Sequence, residues 1–308
     1  MARILVLEEE IPVKNSIYKS KHCKQRVVDL YEDFASRLPE PIEEGFVRTC
    51  FGSTHYLIMG PNDLPLLFHF HGGNFPNPHA LLAIADLSKK YRIIAPDILG
   101  QPGKSDENRI NTKSLDYGKW AAEFIACFSN KKKADCIGIS YGAGVLMHLA
   151  ASKPEMIGKA IFMVPTGFVR SNTLDNLRLF GPALLCYMIN KTDKNLLSII
   201  KPLIGDTALI SALELEMFRA VFNGVKLSTS MPRPVEKNEL RLFNSPCMIV
   251  TAEKDIMCPF EKVIAFAKDR LPGLKKTVTL ENTPHMISSY KECMKTILQE
   301  IVTFLEDN

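Results

Sequence analysis

From residue 66 to the C-terminus the chain alternates between two hydrophobic patterns. Short apolar runs at 66–70, 91–95, 135–139, 159–164, 246–251 and 276–280 have the length and composition of strands buried on both faces of a parallel sheet. Between them, 78–90, 112–129, 141–153, 259–270 and 289–306 repeat their apolar residues at helical spacing, as helices that cover a sheet do. Ahead of this region, 46–51 and 55–59 read as two strands across a Gly52-Ser53 turn. Before those, Val27, Val28, Leu30, Tyr31, Phe34, Ala35 and Leu38 share one face of a helix over 24–38 that Pro39 and Pro41 end. The sustained alternation predicts a doubly wound α/β sheet with helices on both faces.

One interval breaks the rhythm. About eighty residues between 164 and 246 carry no strand pattern. Helical pieces at 174–191, 194–204 and 207–225 are punctuated by Gly181-Pro182, Pro202, Gly205 and Met231-Pro232-Arg233-Pro234. This insertion is rich in Leu, Met and Phe, and two readings stand: helices that pack on the main domain, or a lid over an apolar pocket. The expected organisation is an N-terminal helical extension at 1–45, a core at 46–167 and 244–308, and a helical cap at 168–243.

Composition removes several classes of function. With 46% hydrophobic and 23% charged residues, the 308-residue chain has ordinary globular usage. Its 38 Lys and Arg nearly balance 34 Asp and Glu, and a net charge of +4 gives no electrostatic footprint for nucleic acid. The stretch 64–85 has no Asp, Glu, Lys or Arg over 22 residues but is broken by three prolines, two glycines and three histidines, and 136–152 has none over 17 residues, with three glycines. Neither supplies the ~20 apolar residues of a membrane span, so no integral membrane association is expected. The start has four apolar residues before Glu8, Glu9 and Glu10, unlike a secretory leader, and a cytoplasmic location is expected. Eight cysteines form no Cys-x-x-Cys pair and have no His at zinc spacing, so free thiols and no metal are expected. The oligomeric state is left open.

The chemistry gathers where strands end. Gly138-Ile139-Ser140-Tyr141-Gly142 follows one predicted strand and opens a predicted helix, the setting of a nucleophile elbow, in which flanking glycines relieve crowding around a strained serine. A serine hydroxyl needs a base to take its proton, and the base needs an acceptor to orient it. Asp255 follows the 246–251 strand and His285 follows the last strand, both at the carboxyl edge of the sheet where ligands bind. Glu253 and Asp97 are the competing acids; the first reads as a solvated neighbour and the second as a residue shaping its own turn. Oxyanion donors are expected from Gly73 N–H, in His69-Phe70-His71-Gly72-Gly73-Asn74, and from Tyr141 N–H at a helix start. His69, His71 and His79 are too scattered for a metal site.

These segments, with the loop from Ala95-Pro96-Asp97 to Gly103-Lys104-Ser105, resemble the α/β-hydrolase superfamily from about residue 46 onward, and most closely its carboxylesterase-type members. Pro284 and Ala252 stand where that superfamily often has Gly. The resemblance implies an eight-stranded, mostly parallel sheet, a cap after the sixth strand, and a cofactor-free Ser140, Asp255, His285 mechanism on a small-molecule ester. Asn74, Phe75, Phe168 and Met286 are the expected substrate contacts. A thioesterase, lactonase, amidase or perhydrolase on the same triad, or a non-catalytic binding protein, is the alternative.

Overall fold

Neighbouring residues of the central strands face two different apolar cores, which is why those strands read as unbroken apolar runs. In the computed structural model, residues 16–39, 41–130, 132–169 and 173–307 are described; Met1 to Glu10, expected to be no leader, fall outside them. Ile94, Cys136, Phe162 and Ile249 point into one core, and Ile93, Ile137, Ile161 and Met248 into the other. The eight strands are β1 (Ile42–Thr49), β2 (Gly52–Met59), β3 (Leu66–Phe70), β4 (Arg92–Pro96), β5 (Ala134–Ile139), β6 (Ile157–Met163), β7 (Cys247–Ala252) and β8 (Leu274–Leu280). They lie in the order β1-β2-β4-β3-β5-β6-β7-β8. β1 and β2 are antiparallel to each other and β2 to β4; all other pairs are parallel. β1 starts at Ile42, ahead of the expected Phe46. The hairpin turns at Cys50 and Phe51, and Gly52, at φ 140°, already opens β2 opposite Thr49.

Helices cover both faces. α3 (Asp116–Ser129), α4 (Tyr141–Ser152) and α8 (Phe260–Arg270) fill the first core, with Trp120, Phe124, Leu146 and Val263 fully buried. α2 (Asn77–Ala83) and α9 (Lys291–Glu306) cover the other face through Leu81, Ile297 and Ile301. The expected helix at 78–90 is split, because α2 ends at Ala83 and a 3₁₀ turn runs over Ala85–Lys89.

The insertion forms α5 (Thr173–Ile189), α6 (Asp193–Ile204) and α7 (Ala212–Gly224). The single helix expected at 207–225 is likewise divided: Thr207–Leu209 makes a 3₁₀ turn, and Ser211 with Glu214 forms a capping box that starts α7 afresh. α5 and α6 share a satellite core with Phe218 of α7. α1 (Lys21–Ala35) is no free appendage. Its Val27, Leu30 and Phe34 pack on Leu213, Met217 and Val221 of α7, and Tyr18 pairs with Val225 in an antiparallel bridge. From the same helix Tyr31 reaches the main domain and donates to Asp97 Oδ1 at 3.0 Å. Among the described residues no helix is long and apolar enough to cross a membrane.

Candidate active site

Ser140 sits between β5 and α4 with φ 51° and ψ −112°, a conformation that costs an L-residue about 1–3 kcal/mol and survives only where its surroundings enforce it. They do so here. Its N–H donates to Met163 O, and its carbonyl accepts from the N–H and the hydroxyl of Thr166. Val164, β-branched and at φ 39°, is strained beside it and is held by a 2.7 Å bond to Val250 O. The elbow glycines answer to backbone. A Cβ on Gly142 would stand 2.0 Å from Phe70 O, and one on Gly138 2.6 Å from the Ala143 Cα.

The structure brings the three expected residues together. Ser140 Oγ is 2.9 Å from His285 Nε2, and His285 Nδ1 is 2.8 Å from Asp255 Oδ2. An Nδ1–H tautomer satisfies both bonds and leaves Nε2 as the acceptor for the hydroxyl. Asp255 Oδ1 accepts from Met257 N–H and Cys258 N–H, so this fully buried carboxylate keeps its partners without water. Burial pushes the adjacent Cys258 thiol well up, which keeps it protonated and no rival nucleophile.

The acid and histidine loops are tied to one another and to the cap. Lys254 N–H donates to Thr283 O, and Asn282 N–H to Glu253 Oε2 at 2.7 Å. Glu253, read as a solvated neighbour, thus holds the histidine loop. On the other side Met286 N–H donates to Leu203 O, and Tyr290 Oη to Ile204 O, both at the end of α6.

Gly73 and Tyr141 lie against each other: a Cβ on Gly73 would be 3.1 Å from the Tyr141 Cβ. Tyr141 is the first residue of α4, so its N–H has no partner within the helix and is available to a ligand. Its ring is buried edge-on to Tyr117, and its hydroxyl shares hydrogen bonds with Tyr117 and Gln101. Burial pushes the His71 imidazole down; neutral, it donates from Nδ1 to Gly72 O and accepts Ile98 N–H at Nε2. The glycine loop is thereby fastened to the loop after β4.

Two of the four expected substrate contacts have other employment. Asn74, at φ 56°, spends its carboxamide on a reciprocal pair with Ser228, Nδ2 to O at 2.9 Å and Oδ1 from N–H at 2.8 Å. Its N–H donates to Gln101 Oε1. It is a clasp between the glycine loop and the returning cap segment. Phe168 is buried in the core, with Phe162 and Phe266 rings at 5.3 and 4.9 Å. Phe75 and Met286 do face the cap: both pack against its satellite core, and Phe75 lies 4.7 Å from the Phe218 ring. Gln101, Thr166 and Ser228 are site-supporting residues to which sequence reasoning assigned nothing.

Asp97 shapes its own turn, as expected. Burial opposes its ionisation, but bonds from His55 Nδ1 and Lys104 N–H prevail and hold the carboxyl below its ordinary range. His69, by contrast, is fully buried with no partner for either nitrogen among the described residues, and desolvation lowers it to about 3.

Comparison with known proteins agrees with this architecture. A family model described as alpha/beta hydrolase fold matches residues 66–195. The uncharacterized carboxylesterase nap of Bacillus subtilis is 24% identical over 85% of this chain and 87% of its own length. The carboxylesterase YbfK of that organism is 24% identical over 91% and 93%. Among solved structures, B. subtilis naproxen esterase superposes with a TM-score of 0.78 at 21% identity, covering 92% of this chain and 98% of that one. B. subtilis CesB (YbfK) gives 0.77 at 22%, covering 93% and 99%. The chain has the α/β-hydrolase fold, and its sequence is similar to those of carboxylesterases.

Proposed function

We propose that this protein is a serine hydrolase that cleaves a carboxylic ester of a small to medium, largely apolar acyl substrate through an acyl-enzyme. The observation that carries this reading is the unbroken hydrogen-bond chain from Ser140 Oγ through His285 to the buried Asp255 carboxylate. As Oγ attacks the ester carbon, His285 Nε2 takes its proton and the carbonyl electrons move onto oxygen, held by Gly73 and Tyr141 N–H. The imidazolium then returns the proton to the departing alkoxide as the C–O bond breaks, leaving the acyl group on Ser140. Water, deprotonated by the same imidazole, attacks that carbonyl and releases the acid and the free serine. Asp255 stays ionised throughout and stabilises the imidazolium.

Two further observations support the choice of substrate class. The named relatives that match over most of their length are carboxylesterases. Phe75 and Met286, from the glycine and histidine loops, pack against Phe218 and its apolar neighbours in the cap, a setting suited to an apolar acyl group, and the cap expected at 168–243 is read as the lid over the substrate. Purified protein assayed against p-nitrophenyl esters of graded chain length tests the reading, together with a fluorophosphonate probe whose adduct is located by mass spectrometry. Hydrolysis with an optimum among short to medium acyl chains and an adduct on Ser140 are expected. No hydrolysis across the series, or labelling elsewhere, refutes it.

A further inference from the structure

The turn that carries Asp255 also brings a thiol to the catalytic base. Met257 N–H and Cys258 N–H both close onto Asp255 Oδ1, which folds Cys258 back beside the carboxyl group. One carboxylate oxygen of Asp255, Sγ of Cys258 and one ring nitrogen of His285 all lie within 4.8 Å of one another. Among the described residues no other three His, Cys, Asp or Glu groups come so close. Cys258 and Asp255 are buried, and His285 is partly so. Carboxylate, thiolate and imidazole are donors from which borderline-soft divalent cations build tetrahedral sites. Two ligands on a tetrahedral zinc ion stand about 3.3–3.6 Å apart. The set therefore needs Cys258 to close in by about an ångström while the 2.8 Å Asp255–His285 pair opens slightly.

We propose that Asp255, Cys258 and His285 form an inhibitory site for a borderline-soft divalent cation such as Zn²⁺, seated in place of the proton that the imidazole and carboxylate share. The proposal rests on the reading of His285 as the catalytic base. On binding, the Cys258 thiol releases its proton to solvent and forms the S–metal bond. The neutral imidazole offers its Nδ1 electron pair and carries its one proton on Nε2, and the carboxylate binds as the anion it already is. Two anionic ligands and one neutral ligand balance the dication. Nε2, now a donor facing Ser140 Oγ, has no electron pair with which to take the serine proton, and turnover stops.

The test titrates wild-type protein and the Cys258→Ala and Cys258→Ser variants with Co²⁺, whose bond to thiolate gives a near-ultraviolet charge-transfer absorption. In parallel, Zn²⁺ is titrated into a p-nitrophenyl ester assay, each rate being divided by that variant's own metal-free rate. The expected result is a thiolate–cobalt absorption in the wild type that is lost in both variants and weakened in His285→Ala. Zn²⁺ inhibition is expected to be reversed by a chelator and to need at least about tenfold more metal in both Cys258 variants. An absorption that persists in the variants places the metal on another of the free thiols, Cys23, Cys50, Cys127, Cys186 or Cys293, and overturns the proposal. No absorption in the wild type at saturating cobalt, or undiminished Zn²⁺ inhibition of the variants, overturns it as well. The cobalt arm reads binding independently of catalysis: wild-type protein that binds cobalt through Cys258 yet hydrolyses no ester supports the site and counts against the proposed function.

Discussion

Replacing Asn74 separates a substrate contact from a clasp. Its carboxamide makes two hydrogen bonds to the Ser228 backbone, at 2.9 and 2.8 Å, and the residue sits at φ 56°. Each bond contributes about 0.5–1.5 kcal/mol net. An alanine held in the left-handed region adds about 1–2 kcal/mol. Asn74→Ala is therefore expected to lower unfolding free energy by about 2–5 kcal/mol, and Asn74→Gly, which is at ease at positive φ, by about 1–3 kcal/mol. The kinetic consequence follows from position, since the preceding residue is Gly73, whose N–H is proposed as an oxyanion donor. An ångström of drift there costs up to about 10²-fold in rate. In a p-nitrophenyl ester assay paired with urea unfolding, Asn74→Gly should lose kcat by about tenfold or more with KM within about twofold. A raised KM with kcat intact would show that the carboxamide binds substrate, and the clasp would be wrong.

Three other substitutions probe the scaffold beneath the site. Gly142→Ala puts a Cβ 2.0 Å from Phe70 O, backbone that no side-chain rotation can relieve, and should destabilise the fold by about 3 kcal/mol or more and reduce kcat at least about 10²-fold; a melting temperature and rate close to wild type would contradict the packing. Tyr31→Phe removes the hydroxyl from the buried Asp97 and should cost about 1–3 kcal/mol in urea unfolding, an effect absent if that bond is incidental. His69 titrates near 3 when folded and near 6.5 when unfolded, so the unfolded chain binds more protons between these values. The destabilisation is absent above about pH 6.5 and grows as pH falls toward 3. His69→Leu should remove that part of the acid slope, leaving the part from His148, lowered to about 4 by burial, and raise neutral-pH stability by about 1 kcal/mol; an unchanged slope would refute it.

The sheet was legible because its inner strands are buried on both faces, so β3 and its parallel neighbours declare themselves as apolar runs that only tertiary burial explains. Helix breaks were harder. Leu81, Ile84 and Leu87 keep helical spacing across the point where α2 gives way to a 3₁₀ turn, so periodicity alone cannot find it. The start of α7 did carry a local signal, Ser211 followed three residues later by Glu214, which the longer apolar period masked. Ser140, Asp255 and His285 could be chosen because each follows a strand, and strand ends share one edge of a parallel sheet. The bonds of Asn74 to the Ser228 backbone carried no such local signal, since the partner lies 154 residues away. Cys258 looked like a bland thiol for a similar reason: what distinguishes it is its approach to His285, which lies beyond another strand.

Hydrolysis of a p-nitrophenyl ester by the Ser140→Ala protein bears most directly on whether this hydroxyl is the nucleophile. A fall in kcat of about 10⁴ to 10⁶-fold, with circular dichroism and melting temperature preserved, is predicted. A rate within about tenfold of wild type would contradict the account at its centre.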